Sequence, residues 1–400
     1  MKKQIVGKIL TLVFVLAAAG IAFYLYKEGK ISFLPDKTTN SSNNQEEIVS
    51  FPFTEKEYNL SYADKVKHRS LDIADFEENE KWTGDSDFDY TYFITGKSGL
   101  SFVSRNYERS SASIDLVDRF NFNNFSSYKI FVYLFSGPSN IEEFKVILSD
   151  GKKNHIYSVR GLSEGWNLVV MPKDKFFYES NDDLNQDSPD GPISEIRIEL
   201  VSRAKTMASL TVDSLWAEKE VKYPEDWSVL NEESLALKNF SGTENLLFAG
   251  MRERLVASIK KITSAQDYTF SAKFTPLTKG EFGLFARGNY RKGFGYYLTL
   301  SGLDESGWQI RKIGIFDKNK GVENITLTRG TIDNVKIERG TPYWLKAELS
   351  GRIISFSVSL DGVNFSKLGE ANDGSFTRGG VGVTVFSAPA VLVDDLRFFQ

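Results

Sequence analysis

Four hundred residues, 41% of them hydrophobic, supply enough apolar surface for two ordinary domains. A net charge of −4, from 49 basic and 53 acidic residues spread along the chain, argues against the basic stripe of a nucleic-acid binder and the acidic run of a disordered effector. The absence of cysteine excludes disulfides, thiolate catalysis, Cys-based zinc sites and a lipoprotein anchor.

The chain opens on a basic start, residues 1–8, containing Lys2, Lys3 and Lys8. Residues 9–26, ILTLVFVLAAAGIAFYLY, carry no charge and approach bilayer length, with Tyr24 and Tyr26 at the interface before Lys27. This reads as a transmembrane helix that leaves the N-terminus in the cytoplasm and everything after Lys27 outside. Cleavage after the small residues Ala17-Ala18-Ala19 is the alternative; the anchor is preferred because the apolar run continues past them. Residues 27–67 read as a flexible tether, since the polar run 38–45 cannot bury enough apolar surface to fold. Phe51, Phe53 and Tyr58 beyond that run are expected to dock on the domain that follows.

A first domain is expected over 68–220, with strands near 100–104, 113–116, 129–135, 144–149, 166–171, 196–200 and 210–215. Phe144, Val146 and Leu148 alternate with polar neighbours, as do Ile196, Ile198 and Leu200, and turn-forming residues separate the short strands. That pattern predicts a β-sandwich or jelly roll. Asp75-Phe76-Glu77 with Trp82, the central Gly165-Trp166-Asn167 and the closing Val212-Asp213-Ser214-Leu215 resemble the galactose-binding-like jelly rolls of carbohydrate-binding modules. The resemblance implies a structural Ca2+ held by Asp75, Glu77 and Asp213. Trp82 and Tyr90, carried on an early loop, are the candidate ligand contacts, while Trp166 reads as core.

A second domain is expected over 224–400, after a short link that Pro224 interrupts. Its clearest stretch is 343–386, where Leu345, Ala347 and Leu349, then Phe356, Val358 and Leu360, then Val381, Val383 and Val385 alternate with other residues. Further strands are expected near 268–274, 282–287, 296–300 and 309–313. Asp361-Gly362 and Asp373-Gly374 read as tight reversals needing positive φ. The run 359–365, SLDGVNF, followed by Gly379-Gly380-Val381-Gly382-Val383, resembles the concanavalin A-like lectin/glucanase superfamily, near its laminin-G-like modules and glycosidase accessory sandwiches. The Gly283-Leu284-Phe285-Ala286-Arg287 pattern is similar to one in those accessory sandwiches, and the resemblance implies that Arg287 faces the concave sheet. The whole chain therefore reads as all-β, two consecutive β-sandwich domains after an N-terminal transmembrane helix.

Sugar recognition needs an aromatic ring under the apolar face of a pyranose and planar polar groups for its hydroxyls. Phe285, Arg287, Tyr290, Tyr297, Trp308 and Trp344 are the candidates in the second domain, and packing is the competing explanation for each ring. Retaining hydrolysis would need two carboxyl groups ~5 Å apart on one face. No Glu-x-Asp-x-x-Glu stands on a strand, and no Gly-x-Ser-x-Gly, His-Glu-x-x-His or phosphate loop occurs. His68 and His155 are unaccompanied and read as ordinary surface residues. The expectation is a membrane-anchored, extracellular, non-catalytic protein of a bacterial envelope that binds a polysaccharide or glycoconjugate. A structural or adhesion module and an atypical glycoside hydrolase are the alternatives.

Overall fold

The computed structural model describes residues 55–62, 69–121, 123–135, 137–180, 183–186, 189, 191–219, 226–230, 234–317, 321–332 and 336–400. The apolar segment 9–26, the tether up to residue 54, His68 and Pro224 lie outside them. No helix among the described residues is long and apolar enough to cross a membrane.

The strands pair antiparallel and group into two β-sandwich bodies. In the first, a six-stranded sheet is built around Ser127–Leu134, which pairs with Gly165–Pro172 on one side and Met207–Glu218 on the other. Met207–Glu218 also pairs with Gly99–Arg105 and Ser70–Ala74. The facing seven-stranded sheet centres on Pro192–Ser202 between Arg109–Asn121 and Ile141–Ser149. Alternation explains the core: Phe102, Ile130, Val132 and Leu210 from one sheet join Phe144, Val146, Ile196 and Ile198 from the other in one buried cluster.

Among the described residues, the second body is a single hydrogen-bonded sheet of 13 strands folded over on itself. Gly380–Phe399 makes the fold possible. Its first half pairs with Glu281–Asn289 and its second half with Tyr268–Pro276, with Ser387 at φ 50° between them. Leu284, Leu298, Val383 and Val385 share the resulting core with Phe270, Leu345, Ala347 and Phe356. Gly351 and Gly362 take φ of 54° and 75°, as tight reversals require. Gly374 does not enter the left-handed region; that corner is held instead by the Asp373 carboxylate, which accepts from the Ser375 amide at 2.8 Å.

One segment differs from the tether reading. Glu57–Leu60 is a strand of the second body, paired with Leu396–Phe399, and Tyr58, Leu60 and Tyr62 are buried in that body's core. Tyr58 docks there because its hydroxyl reaches Asp226 at 2.9 Å while its ring is buried beside the chain's last strand.

The two bodies share an apolar layer. Phe131, Trp216 and Ile94 of the first are packed with Ala236, Leu247, Leu277 and Leu392 of the second. Trp216 Nε1 donates to the Leu237 carbonyl at 3.0 Å, Lys238 pairs with Asp72, and Glu244 accepts from the Arg69 amide and the Ser70 hydroxyl at 2.9 Å each.

Candidate functional site

On the six-stranded sheet the residues that alternate with the core set point to the opposite face. Register arranges them in rows. Ser101, Thr211, Tyr133 and Trp166 stand side by side on four neighbouring strands. Val103, Ser209 and Phe135 form the next row, and Arg105 and Met207 the last. Among the described residues, the second body packs on the end of this face bearing Phe131, Leu168 and Trp216, with Trp166 at the margin of the contact.

The other end is open, and aromatic rings occupy it. Phe135 is 38% exposed, Val103 48% and Met207 47%, while Tyr92, Tyr133 and Trp166 are half-buried. Ring centroids lie 4.0 Å apart for Tyr92 and Tyr133, 4.8 Å for Tyr92 and Phe135, 4.9 Å for Tyr133 and Phe135, and 5.4 Å for Tyr133 and Trp166. Burial, then the neighbouring Tyr92 hydroxyl, raises the Tyr133 phenol above its ordinary value, so it stays a neutral donor. The row from Thr211 to Trp166 crosses three strands, about 10 Å. A partly exposed cluster of aromatic rings bearing hydroxyls is of the kind that can stack on the apolar face of a sugar and bond its hydroxyls.

Tyr92 does not belong to the sheet; residues 89–95 carry it over the face. Asp89 Oδ1 accepts from the Thr91 and Tyr92 amides at 2.8 and 3.1 Å, and its Oδ2 accepts from Thr211 Oγ1 at 2.9 Å. At the other end of the segment, Asp213 Oδ2 accepts from the Ile94 and Thr95 amides.

The residues expected from sequence are placed differently. Leu284 and Phe285 are both fully buried, so Glu281–Asn289 is covered on both faces and alternation could not separate inside from outside. Phe285 and Tyr297 pack with Val256 and Ile313, with Tyr290 at the margin, and Tyr297 donates to the Gly293 carbonyl at 2.7 Å. Trp308 is buried against Gly330, Gly369 and Phe356. The expectation of open rings is corrected at Phe285, Tyr297 and Trp308, and so is that of a sheet-facing Arg287. Arg287 is 1% exposed, and its guanidinium donates to the Gln266 and Gly351 carbonyls at 2.8 Å, to Phe376 O and to Asp267 Oδ1.

Trp344 stays partly open, with Nε1 donating to Asp395 Oδ2 at 2.9 Å and Lys273 Nζ 5.9 Å from its ring. Arg291 Nε donates to the Tyr290 hydroxyl at 3.1 Å and lowers its pKa. Trp82 stacks on Phe76 at 4.9 Å and donates to Glu80, whereas Tyr90 is 57% exposed and donates to Glu78. His155, read as a surface residue, is 2% exposed because its strand turns it inward, with Asp150 Oδ2 3.9 Å away. These residues form no common site, and Trp166, read as core, is half-buried, packed against the layer between the two bodies on one side and against Tyr133 on the other. The signal for the aromatic face was the run 128–135, YKIFVYLF, in which both alternating sets are largely apolar: one set fills the core and the other supplies Phe131, Tyr133 and Phe135.

Asp75, Glu77 and Asp213 do not fit the Ca2+ implied by the jelly-roll resemblance. Among the described residues no three His, Asp or Glu side chains are grouped to hold a metal ion. Glu77 Oε1 already accepts from the Lys97 amide at 2.6 Å, and burial pushes the Asp213 carboxyl up to about 8, against the charged form a Ca2+ ligand needs. Burial also raises the Asp75 carboxyl. In the second body a hollow of about 630 Å³ is lined by Tyr343, Val358, Ser359, Asp361, Asn364 and Lys367, but its carboxylate accepts from the Val363 and Asn364 amides and from the Ser359 hydroxyl.

No family model matches the chain, and no curated protein matches it. Among solved structures, the carbohydrate binding module CBM66 from Bacillus subtilis is similar at 17% identity, covering 44% of this chain and 96% of that one, with a TM-score of 0.33. The N-terminal CBM22-1-CBM22-2 tandem domain of Paenibacillus barcinonensis Xyn10C is similar at 12% identity over 87% of this chain and 98% of that one, TM-score 0.23. A glycoside hydrolase family 16 endo-glucanase from Bacteroides ovatus is similar at 7% identity over 45% and 94%, TM-score 0.32. At such scores these likenesses carry no weight for activity.

Proposed function

We propose that this is a non-catalytic carbohydrate-binding protein, which takes a polysaccharide or glycoconjugate on the open aromatic face of its first sandwich. One observation supports the proposal: the rings of Tyr92, Tyr133, Phe135 and Trp166 form one contiguous cluster in which Phe135 is 38% exposed and the other three residues are half-buried. A packed core would have covered them. Segment 9–26 would hold the protein at the outer surface of a bacterial membrane, or the protein is secreted if that segment is cleaved. Hydrolysis is not part of the proposal. On the second body, Glu281 is tied to Arg311, Gln309 and Thr299 rather than left free as an acid or nucleophile.

The test is affinity electrophoresis of the full chain in gels containing a soluble β-glucan, xylan, mannan or pectin. At least one polysaccharide should slow the wild type, and Trp166→Ala or Phe135→Ala should weaken that retardation about tenfold, a loss of about 1.4 kcal/mol. Tyr290→Ala, remote from the face, should migrate as wild type. Retention of full binding by both face variants would eliminate the reading.

A second reading is supported by Val103 and Met207, which extend the open patch with apolar surface that a sugar does not need. An adhesion module docking a protein partner would lose self-association or cell adhesion on Val103→Asp, read by light scattering, while polysaccharide retardation stayed unchanged.

A further inference from the structure

We infer that the second sandwich holds the binding face of the first in its working shape through Arg339, a positioning residue for the Tyr92 ring. The inference rests on the proposed saccharide face and adds a dependence between the two bodies.

Residues 89–95 are gripped at both ends by the first body, through Asp89 at the start and Asp213 at the close. The middle is held from the second body. Arg339 Nη1 donates to the Phe93 carbonyl at 2.8 Å, and its guanidinium carbon lies 3.9 Å from the centre of the Phe93 ring. A planar cation over an aromatic face, combined with a charge-assisted hydrogen bond to the same residue, restrains both its backbone and its side chain. The next residue, Ile94, is fully buried beside Leu277 and Leu392 of the second body. Tyr92, immediately before Phe93, is the residue that lays its ring on Tyr133 and Phe135.

Arg339 itself is firmly presented. Its turn is tied to the second body by the Gly340 amide on the Pro276 carbonyl at 2.9 Å and the Ile337 amide on the Glu305 carbonyl at 2.8 Å. The Glu338 amide adds a bond to the Tyr343 hydroxyl at 2.9 Å, and Ile337 is fully buried. The turn that carries Arg339 is thus hydrogen-bonded to its own body, and residues 90–95, which Arg339 contacts, have no regular secondary structure. Removing Arg339 therefore frees Phe93 and lets the Tyr92 ring leave the face, while both cores stay intact.

The test compares full-length wild type, Tyr92→Ala, Arg339→Ala, Arg339→Lys and the Tyr92→Ala/Arg339→Ala double variant. Affinities are read by electrophoresis in the β-glucan, xylan, mannan and pectin gels, and thermal melts check folding. Arg339→Ala should weaken binding about five- to tenfold with little change in melting temperature, and Arg339→Lys, which keeps a cation over the ring, should recover part of it. The double variant should bind no more weakly than Tyr92→Ala alone, because Arg339 acts through that ring. Additive losses, or an Arg339→Ala variant that binds as wild type while Tyr92→Ala does not, would overturn the inference and leave the saccharide face standing. If Tyr92→Ala and Trp166→Ala both bind as wild type, the face itself is refuted. Should Arg339→Ala fail to fold, undiminished binding by a folded Arg339→Lys that has lost the Phe93 contact by NMR overturns the inference equally.

Discussion

Arg287 sits at φ 46°, a strained value for a residue with a side chain, and its backbone amide donates to the Tyr268 hydroxyl at 3.0 Å. The buried guanidinium ties together residues 266–267, 351 and 376, three segments distant in sequence. Arg287→Met removes four hydrogen bonds to these segments from a buried position and should cost about 3–5 kcal/mol, read as a shift in the urea midpoint. Asp373 works by charge. Burial opposes its ionisation, but Lys312 at 2.8 Å, the Tyr296 hydroxyl and the Ser375 amide hold the carboxyl well below the usual range. A depressed folded-state pKa stabilises the fold above the unfolded value of about 4, and that stabilisation is lost as pH falls below it. Asp373→Asn should therefore lose less melting temperature than wild type between about pH 5 and about pH 3. Neither role could be read from sequence. An Arg in a strand pattern signals a need for solvent or partners, and only the folded chain supplies three carbonyls and a carboxylate.

Strands carry a device that the sequence repeats. Val212-Asp213-Ser214-Leu215 and Val393-Asp394-Asp395-Leu396 each put a buried Asp before a residue of positive φ, Ser214 at 51° and Asp395 at 48°. Each Asp then accepts from a backbone amide of a crossing segment, Ile94 and Thr95 for Asp213 and Tyr62 for Asp394. Register shifts accompany both, so the shared motif marks a bulge that turns a carboxylate inward. The Tyr62 contact also fastens the segment around Glu57–Leu60. Leu60→Ala should cost about 2–5 kcal/mol in the second body, measured by denaturant unfolding, although the residue lies far ahead of that body in sequence. Strands with one polar face were legible from alternation, including Ile141–Ser149, Pro192–Ser202 and Tyr343–Ser350. Glu57–Leu60, Leu235–Phe240 and Thr243–Ile259 were not, because a short or bent strand spoils the period that alternation depends on.

At the scale of the whole molecule, the layer around Trp216 makes the two sandwiches one mechanical unit. Its indole is fully buried between them, with Lys238 Nζ 5.1 Å from the ring and its own N–H on the Leu237 carbonyl. Calorimetry of the full chain should show one cooperative transition, and Trp216→Ala, at a cost of about 3–5 kcal/mol, should split it into two. The same layer decides which part of the first body's sheet remains open. Composition and periodicity alone determined that the chain is all-β and turn-rich, with an apolar segment ahead of its folded part, because those properties depend on neighbours within one strand. Which aromatic faces solvent was decided by tertiary structure. When both faces of a strand are apolar, as at Phe285 and at Tyr133, the period is identical. Only what packs over the second face distinguishes a sealed ring from an open one.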